Sequence, residues 1–148
     1  MAHDEAAVGI INITDELIFI KRKEREGDPW SGDIAFPGGF VKEGEKPEEA
    51  AIREIREEIS LDLSLSNLDY ELPLQKPFSK DIKVHPFVMH VYNTDGMRAG
   101  DEVQEIRKIP LNALNESYDP LRGKIYKFRG WIIWGMTCRI LSLYLSKR

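Results

Sequence analysis

Three glutamates in the middle of the chain, Glu54, Glu57 and Glu58, are spaced i, i+3 and i+4. On an α-helix this spacing places all three side chains on one face. Carboxylates held this close repel one another, at roughly a few tenths of a kcal/mol for each pair. A divalent cation among them would remove the repulsion, and oxygen ligands suit Mg²⁺ or Mn²⁺. The alternative is a solvated acidic face, in which Arg53 pairs with Glu57 four residues later.

The segment that must position these glutamates is predicted to be a helix that begins at Pro47. Proline is favoured in the first helical turn, and the helix dipole favours negative charge there, as Glu48 and Glu49 supply. Apolar residues recur at helical spacing and predict a buried stripe: Ala51, Ile52, Ile55 and Ile59. The helix is therefore expected to bury one face and to present its carboxylates on another.

The glutamates also belong to a longer pattern over residues 39–61. Its fixed positions are Gly39, Glu45, Arg53-Glu54-Ile55, Glu57-Glu58 and Leu61. This resembles the Nudix box, G-x5-E-x7-R-E-U-x-E-E-x-G-U, where U is aliphatic, with Ser60 in place of the last glycine. Given average residue frequencies, such a match would occur by chance about once in 10⁸ starting positions. The preceding Phe36-Pro37-Gly38 also resembles the usual lead-in of the family.

The resemblance implies a fold and a set of ligands. The fold expected is an α/β, Nudix-type α/β/α sandwich with a mixed central sheet, and residues 1–148 are expected to form a single domain. Glu54, Glu57, Glu58 and the carbonyl of Gly38 would be the metal ligands. Arg53 would orient the glutamates, with Glu45 as its partner. Ser60 would cost up to about 1 kcal/mol if the helix ends there with positive φ.

The reaction implied is attack of water on the phosphoanhydride bond of a nucleoside diphosphate linked to another group. Bound metals would neutralise phosphate oxygens and lower the pKa of a bound water. A glutamate outside the box, Glu102 first and then Glu105, would act as base or additional ligand; the alternative is that both are surface charge. A second hypothesis is a catalytically silent nucleotide-binding or sensor module, but all the box carboxylates are present, which favours catalysis.

Upstream residues bear on the substrate. The segments 18–22 and 32–39 partly resemble the coenzyme A diphosphatase branch, although Asp28 stands where that branch has arginine. Coenzyme A is thus one candidate beside ADP-ribose, dinucleoside polyphosphates and oxidised nucleoside triphosphates. Arg22 and Arg25 could bind phosphate and Trp30 could stack on a base. The alternatives are exposed charge for the arginines and core packing for Trp30.

Alternating and apolar patterns predict the remaining elements. Strands are expected at 7–13 and 17–23, joined by a tight turn at 14–16, and at 34–36, 84–92 and 103–109. A short helix is expected from Pro110. A terminal helix is expected over 131–145, packed on the sheet, with Trp131 and Trp134 in the core.

Composition excludes several classes of protein. With 42% hydrophobic and 31% charged residues the chain is globular rather than disordered. Its net charge of −4 disfavours nonspecific binding to nucleic acid. The family resemblance implies instead a small-molecule partner, a nucleoside diphosphate derivative. The single cysteine, Cys138, excludes an internal disulfide and is expected to be a small buried residue rather than a catalytic thiol.

Nothing in the sequence predicts a membrane protein. The most apolar stretch, 131–145, is too short for a bilayer span and contains Arg139. The acidic start at residues 1–5 does not resemble a signal peptide, so a cytoplasmic location is expected. An exposed apolar strand or helix face could support a homodimer.

Overall fold

The computed structural model describes residues 4–27, 32–77 and 81–148, and within them the chain forms ten strands and two helices. In chain order these are β1 (Glu5–Ile13), β2 (Glu16–Arg22), β3 (Ile34–Ala35), β4 (Gly38–Phe40), α1 (Pro47–Ile59), β5 (Leu68–Glu71), β6 (Lys83–His90), β7 (Val103–Pro110), β8 (Asn115–Asp119), β9 (Gly123–Phe128), β10 (Trp131–Ile133) and α2 (Gly135–Ser146). Single 3-10 turns lie at Leu65–Asn67 and Leu111–Ala113.

The main sheet is mixed and is built around β1. Strand β6 pairs with β1 in parallel, whereas β2 and β4 pair with it antiparallel. β1 changes partner along its length: its first half lies opposite β4, and only its last residues, Asn12 and Ile13, lie opposite β2. β2 then diverges to pair with β7 and β3, and β5 forms an edge beside β6. This partner change brings β4, and the loop before α1, onto the sheet.

Two hydrophobic cores lie on opposite faces of this sheet. In β2, Leu17 and Phe19 pack in the core that contains α2, whereas Ile18 and Ile20 pack in the core that contains α1. Because successive strand residues point to opposite faces, the two helices cover opposite sides. A strand buried on both faces reads as a continuous apolar run, as residues 17–20 do. The predicted α/β/α sandwich with a mixed sheet is confirmed.

The expected helix over 131–145 is wrong in its first part. Residues 131–133 form β10, which pairs with β9 through a turn at Arg129 and Gly130, whose φ angles are +43° and +85°. The extended backbone ends before Gly135, whose φ is +63°, and α2 starts at this residue. Strands β8, β9 and β10 form a separate three-stranded sheet. An apolar run alone does not distinguish a strand from a helix, which explains the error.

The two C-terminal tryptophans have different environments. Trp131 is buried, as expected, but Trp134 is 37% exposed, so its assignment to the core is wrong. Trp134 is the residue immediately before α2, and its ring lies 4.8 Å from the guanidinium carbon of Arg122. Cys138 is buried in the α2 core, as expected of a structural cysteine.

Other elements agree with expectation within a few residues, and the helix expected from Pro110 is the single turn at Leu111–Ala113. Strands β4, β5, β8 and β9 were not predicted. Trp30 and Asp28 lie outside the described residues. Of the helices that the structure describes, none has both the length and the apolar character needed to span a bilayer.

Candidate functional site

Helix α1 lies close against the sheet. Pro47 occupies its first turn, and the carboxylate of Glu49 accepts a hydrogen bond from the backbone N–H of Lys46 at 2.8 Å. Ile55 points at Gly9 of β1, where an added Cβ would lie 2.7 Å from the Ile55 Cδ1 atom. The glycine thus permits a close approach that brings the helix carboxylates next to β4.

Glu58 is the buried carboxylate of the site. Its side chain is 8% exposed, and its Oε1 accepts a hydrogen bond from the backbone N–H of Gly38 at 2.8 Å. Burial raises the pKa of Glu58 to about 8, and the charges of Glu54 and Glu102 act in the same direction. The Gly38 hydrogen bond and Arg22, 4.0 Å from Oε2, only partly oppose this. Glu58 is therefore a desolvated acid that a nearby cation would favour as carboxylate.

Arg53 is the centre of a hydrogen-bond network. Its Nε and Nη2 atoms donate to the two oxygens of Glu45 at 2.8 and 3.0 Å, a bidentate arrangement. Its Nη1 donates to Glu54 at 2.8 Å and reaches both oxygens of Glu57 at 3.4 Å, while Nη2 also donates to the carbonyl of Phe40 at 3.0 Å. The guanidinium therefore joins β4, the loop before α1 and the carboxylates of the helix.

The network shifts the ionisation of its two strongest partners. The hydrogen bond from Arg53 lowers the pKa of the Glu45 carboxyl. In turn, the hydrogen bond to Glu45 raises the pKa of Arg53, and that to Glu54 adds to the effect. Both side chains thus stay charged at neutral pH, which keeps the orientation of Glu54 fixed.

Two consecutive glycines make room for this arrangement. A Cβ at Gly39 would lie 2.6 Å from the carboxylate carbon of Glu54, and one at Gly38 would collide with the carbonyl oxygen of Ala7 in β1. Any side chain at either position would therefore displace the carboxylate or separate β4 from β1.

The C-terminal end of α1 is held by the loop that leads to Glu102, a contact that the sequence did not reveal. Ser60 ends the helix in the left-handed region, with φ of +59°. The backbone N–H groups of Arg98 and Gly100 donate to the carbonyls of Ile59 and Glu58 at 3.0 and 2.8 Å. These bonds satisfy carbonyls that a helix end otherwise leaves without partners. A Cβ at Gly100 would lie 2.5 Å from the carbonyl oxygen of Glu57.

The same loop leads to Glu102. The Glu102 carbonyl accepts the backbone N–H of Lys23 at 3.0 Å, and its Oε1 lies 3.5 Å from Nη1 of Arg25. Both side chains are more than half exposed. Glu105 instead accepts a hydrogen bond from Nε of Arg107 at 2.6 Å, and that guanidinium lies over the Trp131 ring. Glu102 therefore lies at the rim of the site, whereas the carboxylate of Glu105 is already paired with Arg107.

The structure brings most of the predicted site residues together. Gly38, Glu54, Glu57, Glu58, Arg53 and Arg22 form one cluster, with Arg25 and Glu102 at its rim. Trp30 is the predicted residue outside the described ranges. Gly100 was missed because its contact with the helix is long-range, and a glycine before two acidic residues is not distinctive in a sequence.

The carboxylate oxygens of the site are suitable ligands for a divalent cation, but in this structure the side chains do not converge on one point. Within the ranges that the structure describes, no three His, Cys, Asp or Glu side chains converge closely enough to hold a metal as they stand. Glu54 is bonded to Arg53, and Glu57 is 54% exposed. Yet three carboxylates on one helix face are the oxygen donors that Mg²⁺ and Mn²⁺ take. A cation would also compensate the buried charge of Glu58, so the donor set fits.

Comparison with known proteins identifies the family of the chain. The NUDIX domain family model matches residues 3–129. An ADP-ribose pyrophosphatase from Methanocaldococcus jannaschii is 37% identical over 115 residues, which are 76% of this chain and 65% of that protein. An 8-oxo-dGTP diphosphatase from Escherichia coli is 38% identical over 73 residues, which are 47% of this chain and 56% of that protein. The chain thus spans less than two thirds of the length of either relative.

The fold is also similar to that of a solved structure. The crystal structure of a MutT/nudix family protein from Enterococcus faecalis superposes with a TM-score of 0.73 at 15% identity, covering 97% of this chain and 61% of that one. At this identity the likeness concerns the fold alone. The family model, however, covers most of the chain and includes the glutamate box on α1. The chain therefore belongs to the Nudix family.

Proposed function

We propose that this chain is a divalent-metal-dependent hydrolase that cleaves the phosphoanhydride bond of a nucleoside diphosphate linked to another group. The observation that carries the proposal is the buried Glu58 carboxylate, held by Gly38 beside Glu54 and Glu57, which Arg53 orients. A buried carboxyl group beside further acidic side chains is costly in a protein and is common where a cation and phosphates bind.

In this proposal Glu54, Glu57, Glu58 and the Gly38 carbonyl hold Mg²⁺ or Mn²⁺. The metal, when bound, supplies positive charge for the phosphate oxygens and lowers the pKa of an attacking water. Arg53 keeps Glu54 in place through its bond to Glu45. Arg22, beside Glu58, and Arg25, at the rim, bind phosphate oxygens.

Glu102 takes the proton of the attacking water or joins the ligand set. Its support is its place on the loop bonded to the end of α1, and its contribution to the raised pKa of Glu58. Glu105 is less suited to this role because its carboxylate is bonded to Arg107.

Among the candidate substrates, an ADP-ribose-like molecule is the first choice. The Methanocaldococcus jannaschii relative named for that activity aligns with 76% of this chain. The Escherichia coli relative makes an oxidised nucleoside triphosphate the second choice. Coenzyme A depends on the partial resemblance of residues 18–22 and 32–39, in which Asp28 replaces the arginine of that branch. It is therefore third.

The proposal extends to the whole chain. Residues 1–148 act as one Nudix domain, either alone or as a homodimer, with a small-molecule nucleoside diphosphate derivative as the partner. A cytoplasmic setting suits Cys138, a free thiol buried in the α2 core.

A substrate panel tests the function directly. ADP-ribose, 8-oxo-dGTP and coenzyme A would be incubated with the full chain in Mg²⁺, in Mn²⁺ and in EDTA, and the products separated by anion-exchange chromatography. We expect metal-dependent cleavage of ADP-ribose into AMP and ribose 5-phosphate. Tight nucleotide binding without turnover on any substrate would contradict the hydrolase and support the sensor module.

A matched pair of variants assigns the site. Glu58→Gln should lower the turnover rate by roughly 10²-fold or more, because the metal that it helps to hold supplies several kcal/mol of charge stabilisation. Glu48→Gln, in the first turn of the same helix and outside the cluster, should leave the rate unchanged. Equal rates for the two variants would contradict the metal assignment.

A further inference from the structure

A pocket of about 510 Å³ lies at the ends of β1 and β6, on the side of the sheet that α2 covers. Val88 of β6 and Tyr144 of α2, which both belong to the core that contains α2, are among its lining residues. Since α1 packs on the other face, the pocket is separate from the carboxylates of that helix. Asp69, His90 and Tyr92 also line it, and these three side chains are bonded to one another.

Asp69 reaches this side of the sheet through a β-bulge in β5. Leu68 lies opposite Met89, and Tyr70 lies opposite Val88. β5 thus advances by two residues where β6 advances by one, and Asp69 is the extra residue. Successive residues of a regular strand point to opposite faces, but here Asp69 and Tyr70 line the same pocket. Bulges re-aim side chains in this way and are over-represented next to active sites.

The imidazole of His90 connects Asp69 to Tyr92. Its Nδ1 lies 2.7 Å from Oδ1 of Asp69, and its Nε2 lies 3.2 Å from the hydroxyl oxygen of Tyr92. An ionised carboxylate only accepts hydrogen bonds, so the hydrogen on Nδ1 belongs to the imidazole. In the neutral ring Nε2 is then the acceptor, and the Tyr92 hydroxyl donates to it. Nδ2 of Asn67 donates to the carbonyl of His90 at 3.0 Å, which holds the backbone of this residue in place.

This order of groups is that of an activated nucleophile. A hydroxyl, a base within hydrogen-bond reach and a third group that orients the base are the parts that nucleophilic catalysis uses. The side chain of Tyr92 is 85% exposed, so its hydroxyl is accessible. We propose that Asp69, His90 and Tyr92 form a reactive triad in which the Tyr92 hydroxyl takes an acyl group from a small activated ester. The triad needs none of the carboxylates of α1, so this proposal and the hydrolase proposal can fail separately.

The transfer is a single substitution at the acyl carbon. The Tyr92 oxygen attacks that carbon while its proton passes to Nε2 of His90. The bond between the acyl carbon and the leaving oxygen breaks, and the leaving group departs as its anion. Asp69 keeps the ring oriented and stabilises the imidazolium that forms. The imidazolium then loses its additional proton to the solvent, and the acyl group remains on Tyr92 as a phenyl ester.

Acetylation of the full chain by 4-nitrophenyl acetate in EDTA tests the triad. The modified tyrosines are identified by mass spectrometry after short, quenched reactions. Tyr118 is the internal control, because it is 78% exposed and the two histidines that the structure describes are bonded to other residues. A positioned base contributes roughly 10²- to 10⁴-fold. Since the side chains of Asp69 and His90 are more than a third exposed, we expect a smaller factor for Tyr92, at least about tenfold over Tyr118.

Two variants should bring the acetylation rate of Tyr92 down to that of Tyr118. His90→Gln removes the base, and Asp69→Asn removes the group that fixes the tautomer of the base. His85→Gln is the matched control, because this histidine is on the same strand and is also bonded to two neighbours, but it does not line the pocket. It should leave the rate at Tyr92 unchanged.

Three results would overturn the proposal. One is equal acetylation of Tyr92 and Tyr118. Another is an equal loss in His85→Gln, which would trace the effect to the stability of the sheet. The third is 4-nitrophenolate release that depends on His90 but leaves no ester on Tyr92, since the imidazole would then be the nucleophile. If His90→Gln has a lowered melting temperature, Asp69→Asn decides the question, because it preserves the side-chain volume; an unchanged rate at Tyr92 in that folded variant would refute the triad.

Discussion

The two sides of the sheet hold charge in different ways. On the α1 side, acids and a base are bonded to one another: Arg53 contacts Glu45, Glu54 and Glu57, and 15% of its side chain is exposed. On the α2 side, the charged residues of the β8–β9 hairpin make separate contacts: Lys124 pairs with Glu116 at 3.3 Å, and Arg122 stacks on Trp134. An interlocked cluster fixes geometry, which chemistry needs. Separate surface contacts of this kind do not fix a geometry in the same way.

The difference is also visible between two adjacent residues. Glu58 is buried and accepts a hydrogen bond from the backbone of β4 at 2.8 Å. Glu57 is more than half exposed, and its carboxylate oxygens lie farther, 3.4 Å, from Nη1 of Arg53. One helix face thus contains a fixed carboxylate and an adjustable one.

Among the variants that keep all the carboxylates, the largest effect is expected for Arg53→Ala. Removing the guanidinium frees Glu54 and Glu57 to repel each other and leaves Glu45 without its bidentate partner. We expect roughly a 100-fold loss of kcat/KM, at the upper end for a residue that orients metal ligands. Steady-state kinetics with Mg²⁺ measures it.

Arg56→Ala is the matched control for that variant. Arg56 is on the same helix, is 62% exposed and lies 3.9 Å from Asp62. It should retain activity close to that of the parent chain. Similar losses in both arginine variants would show that net charge, and not the Arg53 network, is what matters.

A smaller loss is expected for Gly100→Ala. The added methyl would lie 2.5 Å from the carbonyl of Glu57 and would push the last turn of α1 away from the loop. We expect roughly a tenfold drop in kcat, since small displacements of positioned groups are costly. The Mg²⁺ concentration for half-maximal rate should rise as well. Ala99→Ser, at an exposed neighbour, should change neither quantity; if it does, the loop is sensitive in general and the contact is not specific.

The pH dependence of stability should expose Glu58 when metal is absent. Its folded pKa of about 8 lies above the ordinary 4.5, so the folded state binds the proton more tightly. The resulting stabilisation is complete below pH 4.5 and is lost as pH rises through about 8. In EDTA the melting temperature should therefore fall between pH 5 and pH 8 more steeply in the parent than in Glu58→Gln. Parallel calorimetric curves for the two proteins would refute the buried-acid assignment.

The smallest effect is expected at the helix end. Ser60 has a φ of +59°, which glycine adopts without strain. Ser60→Gly should stabilise the fold by up to about 1 kcal/mol, or a rise of about 2–4 °C in melting temperature. Ser60→Ala retains the strain and should not stabilise. A gain in Ala equal to that in Gly would point to the hydroxyl rather than to the backbone.

The parts that sequence could predict are those in which local spacing decides the outcome. The carboxylate face of α1, its start at Pro47 and the buried run of β2 follow from residue order alone. Arg53 and Glu45 were paired through the family resemblance, and the structure places them 2.8 Å apart.

The parts that sequence could not predict depend on contacts between distant residues. Strand β10 is apolar enough to suit a helix, and only its pairing with β9 makes it a strand. Gly100 is ordinary until the fold brings it to the end of α1. Arg122 and Arg139 are 17 positions apart and meet only because α2 packs beside the hairpin. Folding creates these neighbours, so no spacing rule reveals them.

The bonds from Arg98 and Gly100 to the end of α1 have a consequence for motion. Connecting loops usually open independently of the elements they join, at little free-energy cost. Here the loop cannot detach without exposing the carbonyls of Glu58 and Ile59, so its opening and the fraying of the last helical turn are one event. In hydrogen exchange, the Gly100 amide should therefore be protected to the same extent as the last turn of α1. Glu102 should then belong to the same cooperative unit as the carboxylates of that helix.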